Sequence, residues 1–292
     1  MIQCRRLGYA VLATPDLDRQ IAYYTDVLGL FLAHREDKHA VLSTRQGLEC
    51  IVLEQQEGIT PGLTGLSFQI DPKTSLEDAQ KALAASDVRS EIRQGKTANV
   101  GRVVAFRDPK GTEIELFNGI AFADADQEER GVGILKLGHV AYQATNVMEL
   151  TTFWCEVLGF RKSDWRGEGA MFLRCSVDHH TINFFKGDAT VLHHIAFEVK
   201  DFPELVRSSD LLARKDFPLD WGPARHTIGH NCASYHANPD GLRIELYAEM
   251  DQMKDEALGY FEPRPWHEDR PQYPKDWLGH KAPVNKWIPG AR

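Results

Sequence analysis

The sequence predicts an α+β protein of two homologous halves, each made of two βαβββ-like units, and three observations carry that reading. First, the chain repeats itself at one offset. RLGYAVLATPDLDRQIAYYTDVLGL near the start is answered by KLGHVAYQATNVMELTTFWCEVLGF, and RDPKGTEIELF by ANPDGLRIELY, so that Tyr9, Gly29, Gly111 and Glu115 match His139, Gly159, Gly241 and Glu245. Two distant segments keeping the same 130-residue spacing mark a duplication. Second, a shorter repeat lies inside each half: LGHVAY at 137–142 is echoed by LHHIAF at 192–197, which lays His139 on His194. Third, short β-branched and aromatic runs such as VLHHIAFEV and GLRIELY read as strands.

The elements follow in order. Thr14-Pro15 is expected to open the first helix and Gly29 to close it, and Thr74 with Glu77 reads as a capping box for a second. Each half is long enough to hold a core of its own. The acidic stretch ADADQEERG ahead of Ile134 reads as the linker, which gives a scaffold half over 1–123 and a metal-binding half over 133–250. Past Met250 the repeat stops. The tail over 251–292, with its EPRPWHEDRPQYPKDW, is expected to be an extended arm lying on the surface or on a neighbouring subunit.

Composition excludes several classes. The 292 residues are 42% hydrophobic and 10% aromatic, as in a globular protein. No apolar run is long enough for a membrane helix, and the N-terminus lacks a signal-peptide core, so a cytoplasmic location is expected. A net charge of −8 without a Lys/Arg-rich run argues against nucleic acid and anionic membrane as partners. Five cysteines without CxxC spacing indicate neither a disulfide framework nor a thiolate zinc site.

Eight of the twelve histidines lie between His139 and His236. Strand alternation puts His139 on a face with Leu137 and Ala141, His194 with Leu192 and Ala196, and Glu245 with Arg243 and Tyr247. A lone histidine in a strand is usually an ordinary core residue, and Glu245 alone proves little because Glu115 sits in the same IEL context. Repetition changes the weighing: copies of one unit bring His139, His194 and Glu245 to related positions around one cavity. Two imidazoles and one carboxylate on one side of a metal make the facial triad of non-haem iron(II) oxygenases, with three positions left open. The first half serves as a control, with Tyr9 and Gly65 where the histidines would be. Asn183 falls where a fourth, carboxylate ligand would stand.

These residues resemble the vicinal oxygen chelate superfamily, and within it the two-domain type I extradiol catechol dioxygenases, over roughly residues 1–250. The most specific segment is RHTIGHNCASYHANPDGLRIE, where His226 precedes Tyr235 by nine residues and Glu245 follows by ten. Ser234 and Ala224 depart from the pattern without touching a functional group. His179-His180-Thr181 matches the segment that carries the remaining catalytic histidine, fifteen residues before His194 in the case of His179. Alternation assigns the role to His179 and turns His180, and likewise His193, away.

The resemblance implies an open barrel around a central cavity in each half. It also implies an Fe(II) cofactor on His139, His194 and Glu245, for which Mn(II) is the alternative, and cleavage of a catechol beside its diol by O2 to a muconic semialdehyde-type product. Catalysis would fall to His179, His226 and Tyr235, in a homo-oligomer of four subunits or more. Two rivals stay open: a glyoxalase-like metal-dependent lyase or isomerase, and a non-catalytic binding protein of bleomycin-resistance type.

Overall fold

The computed structural model describes residues 2–124, 130–259, 267, 269, 271–279 and 287. The first half runs β1 (Cys4–Thr14), α1 (Leu17–Ala22), β2 (Phe31–Arg35), β3 (His39–Ser43), β4 (Glu49–Gln55), β5 (Gly62–Ile70), α2 (Leu76–Ala84), β6 (Ser90–Gln94), β7 (Arg102–Arg107) and β8 (Glu113–Phe117). The second repeats it as β9 (Lys136–Ala144), α3 (Val147–Glu156), β10 (Arg161–Arg166), β11 (Ala170–Arg174), β12 (Ile182–Lys186), β13 (Val191–Glu198), α4 (Phe202–Arg214), β14 (Leu219–Arg225), β15 (Cys232–Ala237) and β16 (Arg243–Ala248). These are the four expected βαβββ units.

The helix starts fall slightly inside the expected ones. Asp16, two residues past Thr14, caps α1 by accepting from Arg19 N, and a π-helical turn over Tyr23–Val27 extends the helix toward Gly29 (φ 78°). For α2 the cap is Ser75 with Asp78, one residue along from the Thr74/Glu77 pair. Both pairs satisfy the capping pattern, and a tie of that kind is not broken by local sequence.

Each half forms one curved sheet with a pseudo-twofold axis at its centre. In the second half the order is β14-β15-β16-β13-β9-β12-β11-β10, and a two-residue strand of the tail, β17 (Lys275–Asp276), adds parallel to β10. β9 and β13 run antiparallel at the middle, each flanked by a parallel neighbour, β12 and β16. The first half follows the same order around β1 and β5. Buried apolar side chains from both halves, Ile2 through Ala248, make one continuous cluster. The expectation of a separate core for each half is therefore corrected: backbone bonds such as Cys4 N to Leu158 O (3.1 Å) and Val132 N to Val27 O (3.1 Å) cross between halves, and apolar faces meet there. The linker reading falls partly on residues outside those described.

One glycine in each half is required by close approach. A Cβ on Gly138 would sit 1.9 Å from the Tyr247 hydroxyl oxygen, and one on Gly8 would sit 2.6 Å from Phe117 Cε1. Gly138 adjoins His139, and the ring of Tyr247 lies 5.2 Å from the His139 ring. Gly138→Ala is expected to cost about 1–3 kcal/mol through overpacking. Thermal melts should register that loss, together with weaker metal retention because the displaced ring braces His139.

Candidate active site

Sheet register explains how residues far apart in the chain converge. His139 on β9 pairs with Ala196 on β13, Ala196 with Glu245 on β16, Glu245 with Tyr235 on β15, and Tyr235 with Trp221 on β14. One row of ladder partners thus crosses five strands on one face. The neighbouring row on that face runs Asn183, Ala141, His194. The two alanines between the long polar side chains are fully buried and leave room above the sheet.

The Nε2 atoms of His139 and His194 stand 3.2 Å apart, and Glu245 Oε2 lies 3.1 Å from the first and 3.0 Å from the second. Cis ligands at about 2.1 Å from an octahedral metal are about 3.0 Å apart, so the three donors outline one face of such a shell. All three side chains are buried, and theirs is the potential metal cluster found among the described residues. Glu245 Oε1 accepts from Asn231 Nδ2 (2.8 Å) and Oε2 from the Tyr235 hydroxyl (2.8 Å), whose oxygen lies 2.9 Å from His226 Nε2. Among the described residues no lysine or arginine pairs with Glu245.

The first half shows what this scaffold does when it holds no metal. Tyr9, at the His139 position, donates its hydroxyl to Glu115, and Arg93 Nη2 reaches the other carboxylate oxygen at 2.7 Å. The rest of that face is filled by an apolar cluster that includes Val11, Val41, Val52, Val103 and Phe117. A buried carboxylate requires a cation or several donors. Glu115 has a guanidinium, and Glu245 has two imidazoles. These must be neutral to ligate, and burial holds His194 that way by pushing its pKa down to about 3. The donor set therefore fits a divalent metal.

The second half opens as a cavity of about 370 Å³ whose floor is the three-residue face. Its walls include Phe172, Phe185, Trp221 and Trp277, the last from the tail. His226 and Tyr235 line it as expected, with His226 stacked on Trp221 at an interplanar angle of 8°. Burial, reinforced by Glu245, raises the pKa of Tyr235 well above the ordinary phenol range, so it stays protonated.

Two expectations are corrected. His180, and not His179, lines the cavity, with its ring centroid 4.3 Å from that of His139. His179 turns the other way, toward Asp164. Both residues precede β12, in non-strand backbone, where alternation has no force. His193 also lines the cavity beside His194, because the β9–β13 register shifts between Leu192 and His194 and both rings end on one side. Bulges next to active sites re-aim side chains in this way. His230 and His236 lie elsewhere: His230 bonds Asp251 and His267, and His236 Nε2 lies 2.6 Å from the Tyr23 hydroxyl across the halves. Asn231 carries no signal that would single it out from the segment around it.

A pH dependence of stability follows. Burial lowers the pKa of His194 to about 3 and that of His236 to about 4. In the unfolded chain an imidazole takes its proton near about 6.5, so the unfolded state binds more protons as pH falls below that value, and stability falls with it. Between about pH 7 and about pH 5 each of these imidazoles costs about 2 kcal/mol. Melts of the chelator-treated protein at the two values should show a markedly lower Tm at the acid one.

Comparison with known proteins agrees with this geometry. The chain belongs to the Glyoxalase/Bleomycin resistance protein/Dioxygenase superfamily, whose profile matches residues 6–116 and again residues 136–246. The metapyrocatechase of Pseudomonas sp. (strain CF600) is 24% identical over 265 residues, covering 84% of this chain and 86% of its own. Among solved structures, the Mn(II)-bound glyoxalase from Novosphingobium aromaticivorans superimposes with a TM-score of 0.79 at 25% identity, over 86% of this chain and 84% of its own. Homoprotocatechuate 2,3-dioxygenase from Arthrobacter globiformis does so with a TM-score of 0.82, over 99% of this chain and 89% of its own; at 21% identity it speaks for the fold alone. The expected two-half fold and family are both borne out. No helix among the described residues is long and apolar enough to cross a membrane.

Proposed function

We propose that this chain is an extradiol dioxygenase that opens an aromatic ring beside a vicinal diol with O2, using Fe(II) held by His139, His194 and Glu245. The observation that carries the reading is the triangle of buried donors, 3.0–3.2 Å on each edge, at the floor of a cavity lined by His180, His226 and Tyr235. A facial triad leaves positions for both diol oxygens and for O2, which a four-ligand lyase site does not. Asn183, in the cavity wall at the related position, brings no fourth carboxylate.

Bound there, the metal supplies Lewis acidity and a template for diol and oxygen. The rest falls to the protein. Tyr235, a phenol held protonated, and His226 beside it form a hydrogen-bonded pair at one edge of the floor, suited to orient a diol hydroxyl and take up its proton. His180 stands across the floor against His139; burial and the adjacent His139 and His179 keep it neutral, ready to accept a proton and later return it. Phe172, Phe185, Trp221 and Trp277 offer faces against which an aromatic ring packs while water is excluded. In this reading residues 1–123 are a scaffold, 133–250 the catalytic half, and 251–292 a tail that supplies Trp277 to one wall. The substrate is a monocyclic or bicyclic catechol. A cytoplasmic location accords with five free cysteines, and a homo-oligomer of four or more subunits goes with the family resemblance.

The reading is tested with ¹⁸O2. A ring-opened product carrying both labelled atoms, analysed before carbonyl exchange, is the expected result; a transformed substrate free of label would point to the lyase.

A further inference from the structure

His179, displaced from the cavity, has a defined place behind it. Its Nε2 lies 3.1 Å from Asp164 Oδ2, and its Nδ1 lies 3.0 Å from His180 Nδ1. The other Asp164 oxygen, Oδ1, accepts from the backbone N–H of Lys275 at 3.0 Å, in the tail strand. All three side chains in this line are buried, with Asp164 and His179 both at 0% exposure. A carboxylate only accepts, so His179 must present Nε2–H to it. A neutral imidazole that carries its proton on Nε2 has a lone pair on Nδ1, so His180 must present Nδ1–H to His179. The lone pair of His180 then sits on Nε2, the ring nitrogen that has no hydrogen-bond partner among the described residues.

We infer that Asp164 and His179 are positioning residues that fix the tautomer of His180, so that an unprotonated Nε2 faces the substrate cavity as a proton acceptor. This rests on the dioxygenase reading for the use of that nitrogen, but not for its protonation. When Nε2 takes a proton from a group in the cavity, the added charge is shared along the hydrogen bond with His179 and faces the Asp164 carboxylate. A buried carboxylate behind an imidazole orients the ring and steadies the cation that forms. The tail enters through Lys275, whose N–H holds the carboxylate in place.

Asp164→Asn separates orientation from packing, because the two side chains have the same shape. The Lys275 N–H holds the amide oxygen, which turns the NH2 toward His179 Nε2 and reverses every donor in the line. His180 would then show N–H to the cavity. We expect kcat to fall about 10²-fold, with KM and metal per subunit changed less than about twofold. An unchanged kcat would overturn the inference. Neutron diffraction on perdeuterated holoenzyme decides the protonation without turnover. Deuterium on His179 Nε2 and His180 Nδ1, and none on His180 Nε2, is the expected result, and deuterium on His180 Nε2 would overturn it. If no catechol is cleaved, the functional reading fails while the neutron map still decides the tautomer.

Discussion

Glu245→Gln is expected to empty the metal site and abolish turnover, with a loss larger than the roughly 100-fold that an outer-shell partner costs. Glutamine keeps the shape and can still bond Asn231 and Tyr235, but it brings no charge to a centre whose two other donors are neutral imidazoles. The matching change in the first half, Glu115→Gln, should leave metal and activity intact while destabilising the fold. It removes one of the three carboxylates around Arg93, which keeps Glu113 (2.8 Å) and Glu91 (3.4 Å), and the loss of one buried charge-assisted contact costs about 1–3 kcal/mol. Metal analysis and thermal melts of the two variants side by side read both effects. A Glu245→Gln protein with full metal occupancy would remove Glu245 from the ligand set.

His180→Ala should behave differently, keeping the metal and losing turnover. General acid–base groups contribute about 10²–10⁴-fold, and the loss should appear in kcat with metal content unchanged. His193→Ala makes the comparison: its ring lines the same cavity, but its Nδ1 meets Nδ1 of the candidate ligand His194 and not the His179–Asp164 line, so it should alter metal retention and KM more than kcat. If His193→Ala proved the more damaging of the two, the assignment of roles on this wall would have to be exchanged.

Much of this was legible in the sequence because duplication writes the same physics twice. The constant offset between Tyr9 and His139, and between Glu115 and Glu245, together with the shorter echo of LGHVAY in LHHIAF, located four units and the three candidate ligands without any structure. Strand alternation with repetition of the unit then brought His139, His194 and Glu245 around one cavity, and the ladders carry His139 and Glu245 in one row and His194 in the next. The same rule misled where its premise failed. His179 and His180 precede β12 in irregular backbone, and His193 sits at a register shift, so neither pair alternates. The partner of Glu115 was hidden for another reason: Arg93 reaches it from a strand twenty-two residues earlier, and no local pattern announces that contact. The tail carries no period, yet Lys275 holds Asp164 and Trp277 enters the cavity wall; long-range pairing of a two-residue strand leaves no trace in composition.

An O2-consuming, iron-bearing site is tested most simply by anaerobic purification with metal analysis, followed by admission of oxygen with catechol and 3-substituted catechols. Iron near one per subunit, oxygen uptake and a yellow ring-fission product are the predicted result. Stoichiometric zinc, with no oxygen consumed on any catechol, would contradict it and move the site to the lyase class.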